Sequence, residues 1–352
     1  MKKRLKIDLP EFVEIGDNKL KNLFKILLFH KLKFKKVLLL GDSKTFLLGG
    51  EAIALIFKKE KIKFLKHLIS NSDEENVKNI KNFIKEKKPD LVIGFGGGKV
   101  LDVAKLAAGK CKTKFISIPT ILSNDGIASP VSVIKDNNNI PISHITKAPH
   151  GVIVDINIIK KAPIRHIRAG VGDLTSNLSA VFDARLAQSK GIEKTDSMAL
   201  ILAEAGPISL LKFQNTSIKD NDFLLCLAHG LIKSGFAMCI VGSSRPASGS
   251  EHKISHSLDY LYSPRKTLHG EQVGIGTIFT MSLQENEYLD KVKKLYAQIA
   301  FPHNLKHLGI TEDEFIEVIN NAKNIRPKRY TILEDKKLTP KAIKKIIKKS
   351  KL

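Results

Sequence analysis

The sequence predicts a two-part chain, an α/β part built on a parallel sheet over residues 1–162 and an all-α part over residues 163–352. Three observations predict it. Short apolar runs alternate with helical patterns up to about residue 161. A glycine cluster at positions 94–98 is wedged between one such run and the helical pattern behind it. From there to the end of the chain the apolar residues recur only at helical spacing.

Taken in order, residues 37–40 form a continuous apolar run that stops at Gly41-Asp42, as a buried strand does. Residues 50–59 follow with helical spacing, 64–69 offer a second strand, and 74–87 a helix that Pro89 stops. Residues 91–95 read as a strand, 100–109 as a helix, 115–118 as a strand ended by Pro119, and 152–154 as one more, with Asp155 at its end. Strands alternating with helices of this length give a parallel sheet with helices on both faces. A helix is expected over residues 171–190, starting at Leu174, because Leu174, Leu178, Val181, Phe182 and Leu186 recur with its period. The pattern continues through 197–211, 223–239, 252–261 and 273–287 to the C-terminus, and no internal repeat is visible. Residues 339–352 put Ala342, Ile343, Ile346 and Ile347 on one face among many lysines. Such a helix can lie on anionic lipid; the expectation is that it caps the helical part with its polar face wet.

The chain of 352 residues is 43% hydrophobic, enough for a substantial core in about two domains. No unbroken run of about 18 apolar residues predicts a membrane span. The start, MKKRLKIDLPEF, is basic and lacks the apolar stretch of a signal peptide. Cys111, Cys226 and Cys239 are odd in number and form no CxxC, which fits reduced thiols in the cytoplasm. The formal charge of +24 invites a nucleic-acid reading. Only eight of the 59 basic residues are arginine, however, and the lysines spread along the chain without interleaved aromatics. A solvated lysine-rich surface is expected, and no specific nucleic acid.

The stretch LVIGFGGGKVLDVAK, residues 91–105, carries the sharpest signal. Gly94, Gly96, Gly97 and Gly98 leave no Cβ in the way where a strand runs into a helix, so backbone N–H groups can close on a pyrophosphate at the helix N-terminus. The spacing is neither GxGxxG nor the P-loop pattern. Asp42, at the end of an early strand, would take ribose hydroxyls or serve as a turn cap. A second loop, Ser117 to Pro130, crowds Thr120, Ser123, Asn124, Asp125, Gly126 and Ser129 at the carboxyl end of a strand, where α/β sheets bind ligands. Metal candidates are Asp173, His252 with His256 at i and i+4, and His269; zinc accepts two imidazoles and a carboxylate and leaves a position open in catalytic sites. With 11 histidines in the chain, any one of these is equally readable as structural.

Five blocks, GFGGGKVLDVAK (94–105), PTILSNDGIASP (119–130), AGVGDLTSNLSA (169–180), SGSEHKISHSLD (248–259) and LHGEQVGIGT (268–277), together resemble one superfamily. It is the polyol dehydrogenase superfamily of glycerol dehydrogenase, iron-containing alcohol dehydrogenases and 3-dehydroquinate synthase. Within it the chain looks most like the archaeal sn-glycerol-1-phosphate dehydrogenases, from about residue 37 to 280. The resemblance implies a dehydroquinate synthase-like fold: a dinucleotide-binding α/β domain, an all-α metal- and substrate-binding domain, and an active site in the cleft between them.

Carried over, the resemblance implies that Gly98, Lys99, Val100, Leu101 and Asp102 hold the pyrophosphate of NAD(H) or NADP(H), joined by Gly96 and Gly97 from the glycine-loop reading. Thr120, Ile121, Leu122, Ser123 and Ser129 would contact the nicotinamide half. Asp42, if it meets the ribose rather than capping a turn, would disfavour a 2′-phosphate, and nearby Lys44 would favour one. Asp173, His252 and His269 match the zinc ligands; Asp125, Asp173 and His256 would face substrate. The implied reaction is reversible reduction of dihydroxyacetone phosphate to sn-glycerol 1-phosphate, for archaeal membrane phospholipids. Zinc would polarise the ketone, and His256 or metal-bound water would deliver the proton. Relatives imply a homo-oligomer. The rivals are a glycerol dehydrogenase acting on unphosphorylated polyol, a lyase of the dehydroquinate synthase type, and a basic nucleic-acid-binding protein.

Overall fold

The computed structural model describes residues 7–136, 140–213, 215–263 and 266–352; the first six residues of the basic start lie outside it. The chain divides into two compact units, one holding the chain up to Leu122 and again Gly126–Pro163, the other Ser123–Asp125 and Ile164–Leu352.

The first unit is built on β1 (Phe12–Gly16), β2 (Lys36–Gly41), β3 (Lys63–Leu68), β4 (Leu91–Gly96), β5 (Lys114–Pro119) and β8 (Gly151–Asp155). They form one sheet in the order β1-β8-β5-β4-β2-β3, every pair parallel. Helices α1 (Leu23–Phe29), α2 (Glu51–Lys59), α3 (Glu74–Lys87) and α4 (Gly98–Lys110) connect the strands. Continuous apolar runs are what a strand covered on both faces requires, and Val37, Leu38, Leu39 and Leu40 are accordingly all buried. β3 is an edge strand and reads differently, with Lys63, Lys66 and Leu68 exposed. β6 (Val131–Lys135) and β7 (Pro141–Ile145) pair as a separate antiparallel hairpin.

The parallel sheet predicted from the alternation is present, and the structure adds β1, α1 and the hairpin. The predicted helix at 50–59 is α2, entered through helical turns that begin at Ser43. Asp42 caps those turns: its carboxylate accepts from the Thr45 amide at 2.9 Å while the Thr45 hydroxyl accepts from the Asp42 amide at 2.8 Å.

The second unit is helical: α5 (Ile164–Ser189), α6 (Ser197–Leu210), α7 (Asn221–Val241), α8 (Ser250–Tyr262), α9 (His269–Gln284), α10 (Leu289–Gln298), α11 (Glu312–Ala322) and α12 (Pro340–Ser350). α7 is long and apolar enough to cross a membrane by length and composition, but 67% of its most apolar window is buried inside the unit, as in a core helix. α12 seats Ile343 and Ile347 on the core, bonds Ser350 to Ser282 at 2.8 Å, and leaves Lys344, Lys345, Lys348 and Lys349 exposed. It therefore caps the unit with its polar face in water.

One element differs from expectation in a way that matters. The helix expected to start at Leu174 starts ten residues earlier, at Ile164, so Asp173 lies inside α5. It does not cap a helix, and a buried mid-helix carboxylate needs partners from elsewhere.

Candidate active site

In the first unit, β4 delivers the chain to Gly97, the N-cap of α4, which has no side-chain cap. The first amides of α4 have no partner within the helix and face a favourable dipole for an anion. Gly96 is required there, because a Cβ would sit 2.6 Å from Cβ of Val100. Beside this turn a recess of about 310 Å³ is lined by Asp42, Ser43, Lys44, Ser70 and Lys99. Lys99 Nζ donates to the Ser70 carbonyl at 2.9 Å and lies 3.7 Å from Oδ2 of Asp42.

The other nucleotide candidates divide. Val100, Leu101, Thr120, Leu122 and Ser129 are buried, and Ile121 and Ser123 are half-buried. Asp102 turns toward Lys105, with 3.6 Å between the charged atoms. Burial pushes the Asp102 carboxyl up to about 6, against the pull of Lys105 and the Val133 amide. The Lys105 ammonium, itself buried, donates to the carbonyls of Gly126 at 2.7 Å and Ser129 at 3.0 Å. It thus clamps the polar loop onto α4.

In the second unit, Asp173 from α5, His252 from α8 and His269 from α9 converge, with one potential ligand atom from each lying within 4.8 Å of the others. Oδ1 of Asp173 is 3.9 Å from Nε2 of His252 and 3.7 Å from Nε2 of His269. For metal–ligand bonds of about 2.1 Å at tetrahedral angles, ligand atoms stand about 3.4 Å apart, within a small side-chain rotation of these values.

The outer nitrogens are already held. Nδ1 of His252 is 2.9 Å from Oε1 of Glu251, and Nδ1 of His269 is 3.3 Å from the Ser255 hydroxyl, which itself donates to Gln272 at 2.7 Å. With those N–H groups donated outward, both Nε2 lone pairs point inward, the pattern expected of metal-binding imidazoles. Burial, then Arg326 and Arg329, pushes His252 down to about 3; burial, then His252 and Arg326, does the same to His269. Both rings are neutral at pH 7 and free to ligate. Burial, with Asp125 and Glu251 nearby, raises Asp173 well above the carboxylate range. Two neutral imidazoles beside a carboxylate starved of positive charge fit a divalent cation.

The fourth side of Asp173 is braced. Its Oδ2 accepts the Asp125 amide at 3.0 Å, and Oδ2 of Asp125 accepts from Ser234 at 2.7 Å. Asn177 in turn donates to Ser234 at 2.9 Å. His256 lies one turn after His252, its ring centroid 6.4 Å from that of His252 and 6.1 Å from that of His269. Its Nε2 accepts from Arg326 at 3.1 Å. Burial and the neighbouring Arg326 push its pKa well below the usual imidazole value, so the ring is neutral near pH 7.

The structure thus gathers Asp125, Asp173, His252, His256 and His269, and it adds Glu251, Ser255, Ser234 and Arg326, which sequence reasoning passed over. Glu251 had a signal, since it directly precedes His252 in SGSEHKISHSLD. Ser234 and Arg326 had none, the first being a polar residue in an apolar helix and the second lying beyond the blocks of resemblance.

The family description "Iron-containing alcohol dehydrogenase" matches residues 14–163. A glycerol-1-phosphate dehydrogenase [NAD(P)+] of Archaeoglobus fulgidus is 38% identical over 98% of both chains. Its counterpart in Nitrosopumilus maritimus is 35% identical over 98% of this chain and 96% of its own. The chain belongs to the glycerol-1-phosphate dehydrogenase family. Among solved structures, glycerol dehydrogenase from Schizosaccharomyces pombe matches with a TM-score of 0.80 at 20% identity, covering 99% of this chain and 90% of its own. An iron-containing alcohol dehydrogenase from Thermococcus thioreducens matches at 0.74 and 17%, covering 99% of each chain. These structural likenesses carry the fold alone; the family rests on the sequence relatives.

Proposed function

We propose that the chain catalyses the reversible, NAD(P)H-dependent reduction of dihydroxyacetone phosphate to sn-glycerol 1-phosphate with a zinc ion at Asp173, His252 and His269. The observation that carries this is the triad, with both imidazoles fixed through their Nδ1 atoms so that two Nε2 atoms face one carboxylate oxygen. The names of the full-length relatives supply the substrate.

When bound, the nucleotide supplies the hydride, and a divalent ion stabilises the alkoxide charge that forms at the reduced carbonyl. The chain's own part is placement. Glu251 and Ser255 hold the two rings in the ligating tautomer, and Asp125 holds Asp173 through its amide. Asp125 and His256 face the substrate in this reading, with His256 kept neutral by its burial and then by the Arg326 charge at its Nε2. The helix turn Gly96–Gly98 with Lys99, Val100, Leu101 and Asp102 is assigned to the nucleotide pyrophosphate, the recess at Asp42 and Lys44 to its adenosine ribose. Thr120, Ile121, Leu122, Ser123 and Ser129 are assigned to the nicotinamide half. Residues 1–162 would form the nucleotide domain and 163–352 the metal and substrate domain.

A cytoplasmic placement is proposed from the cysteines, which are three in number and form no CxxC, as fits a reducing compartment. A homo-oligomer is proposed from the family.

The test is NAD(P)H oxidation with dihydroxyacetone phosphate and with dihydroxyacetone, before and after chelation. The reading requires far faster turnover of the phosphate ester and its loss on chelation. Equal rates on the two trioses would assign the site to an unphosphorylated polyol instead.

A further inference from the structure

Eight arginines stand among 51 lysines in this chain, and three of the eight, Arg245, Arg326 and Arg329, gather at one place in the second unit. Arg326 reaches His256 with Nη2 and Ser248 Oγ with Nη1 at 2.7 Å. Arg329 donates to Ser244 Oγ through both Nη1 and Nη2, at 3.2 Å each, and to the Ser248 carbonyl at 2.9 Å. A third donor, Nη1 of Arg326, points at the same Ser244 oxygen from 3.5 Å. One serine hydroxyl thus stands before three guanidinium donors.

No carboxylate oxygen among the described residues comes within 4.0 Å of the Arg329 guanidinium, although burial is expensive for an unpaired cation. Arg245 pairs with Glu193 at 2.6 Å through Nε, yet its Nη1 is buried with no partner. Burial, then Arg326 and Arg245, pulls Arg329 down to about 9, the behaviour of a place with too much positive charge. The cluster also borders the metal candidates, since Arg326 bonds His256, whose ring centroid lies 6.4 Å from that of His252 and 6.1 Å from that of His269. Away from them, the arginines border a cavity of about 660 Å³ that is also lined by Glu193, paired with Arg245, and by Lys194, Asp196 and Lys328. The contact that ties the cluster to the triad is Arg326 on His256, which makes the His256 side the place for the anion of a substrate held at the triad.

We infer that Arg326 and Arg329, with Ser244 and Ser248, bind the phosphate group of the substrate. The inference deepens the proposed function and rests on it. Guanidinium groups match phosphate oxygens in a planar, bidentate way that lysine cannot reproduce. Only a few bonds separate the carbonyl from the phosphorus of a triose phosphate. A ketone at the triad with a phosphate beyond His256 therefore suits a substrate of that length, and the position gives the metalled site its preference for a phosphate ester.

The experiment compares the metal-loaded wild type with Arg329→Met and Arg329→Lys. For each protein it measures kcat and KM with dihydroxyacetone phosphate and with dihydroxyacetone, and binding of inorganic phosphate by calorimetry. A rise in KM for the phosphate ester of about a hundredfold in Arg329→Met is expected, from loss of a buried charge-assisted contact. The loss should be far smaller with dihydroxyacetone, partly rescued in Arg329→Lys, and accompanied by loss of phosphate binding. Equal losses on both substrates, or unchanged phosphate binding, would overturn the assignment. A wild type that binds phosphate through Arg329 but does not prefer the phosphate ester would keep the anion site and discard the proposed reaction.

Discussion

Gly172 and Gly270 meet backbone against backbone where α5 packs on α9: a Cβ on Gly172 would collide with the Gly270 carbonyl, and one on Gly270 with the Ala169 carbonyl. This close approach brings Asp173, the residue after Gly172, within 3.7 Å of His269, the residue before Gly270. Arg165 locks the same junction through a two-pronged pair with Glu271, at 2.6 and 2.7 Å. The triad is thus set by helix packing before any ion arrives.

Gly270→Ala should therefore separate the two ligands as well as strain the core. A destabilisation of roughly 1–3 kcal/mol is expected from overpacking, with a metal content well below one ion per chain. Thermal unfolding and elemental analysis measure the two effects. Full metal content in a destabilised variant would show that the junction does not set the triad.

Glu251→Gln tests the outer contact of His252. The amide can still accept from Nδ1, but the charge that raises ring basicity is gone. Metal affinity should fall by about 10- to 100-fold, as read by titration against a competing chelator, with secondary structure unchanged.

Two opposite pH slopes are built into the metal-free protein. His252 and His269 are depressed to about 3 from 6.5, so the unfolded chain binds protons that the fold refuses, and stability falls as pH drops through that window. Burial and the Glu251 charge push Asp183 up to about 7 from 3.8, so the fold holds a proton the unfolded chain releases, and stability falls as pH rises through that range. Asp173 and Glu251, also raised by burial, add to this second slope. Removing the Asp183 part with Asp183→Asn should steepen the gain in unfolding midpoint between about pH 4 and pH 6.5. An unchanged profile would show that Asp183 titrates normally.

Lys105 is buried, with its ammonium on two carbonyls of the loop that follows Asp125 and close to Asp102. Lys105→Met should cost about 3 kcal/mol, because the acceptors and the Asp102 charge lose their partner together. Denaturant unfolding gives the value, and a change below 1 kcal/mol would mean that the clamp is dispensable.

Much of this was legible in the residues, and the gaps have physical causes. The apolar runs at 37–40 and 91–95 are buried on both faces, so they announce themselves as strands without alternation. β1 was not legible: FVEIG is short, has one fully buried residue, and lies on the sheet edge. The start of α5 was misplaced because residues 164–173 mix Arg165, His166 and Arg168 with Gly170 and Gly172. Those glycines look like helix breakers, and the use of Gly172 is the contact with α9. The five blocks led to Asp173, His252 and His269, while Arg329 lies outside every block and is visible only through the fold.

The most direct measurement is the metal content of the purified protein and of His252→Ala, alongside NADH oxidation with dihydroxyacetone phosphate. The account predicts close to one zinc per wild-type chain. In the variant it predicts loss of most of that metal and of nearly all turnover, with NADH binding retained. Wild-type metal content in His252→Ala would contradict it.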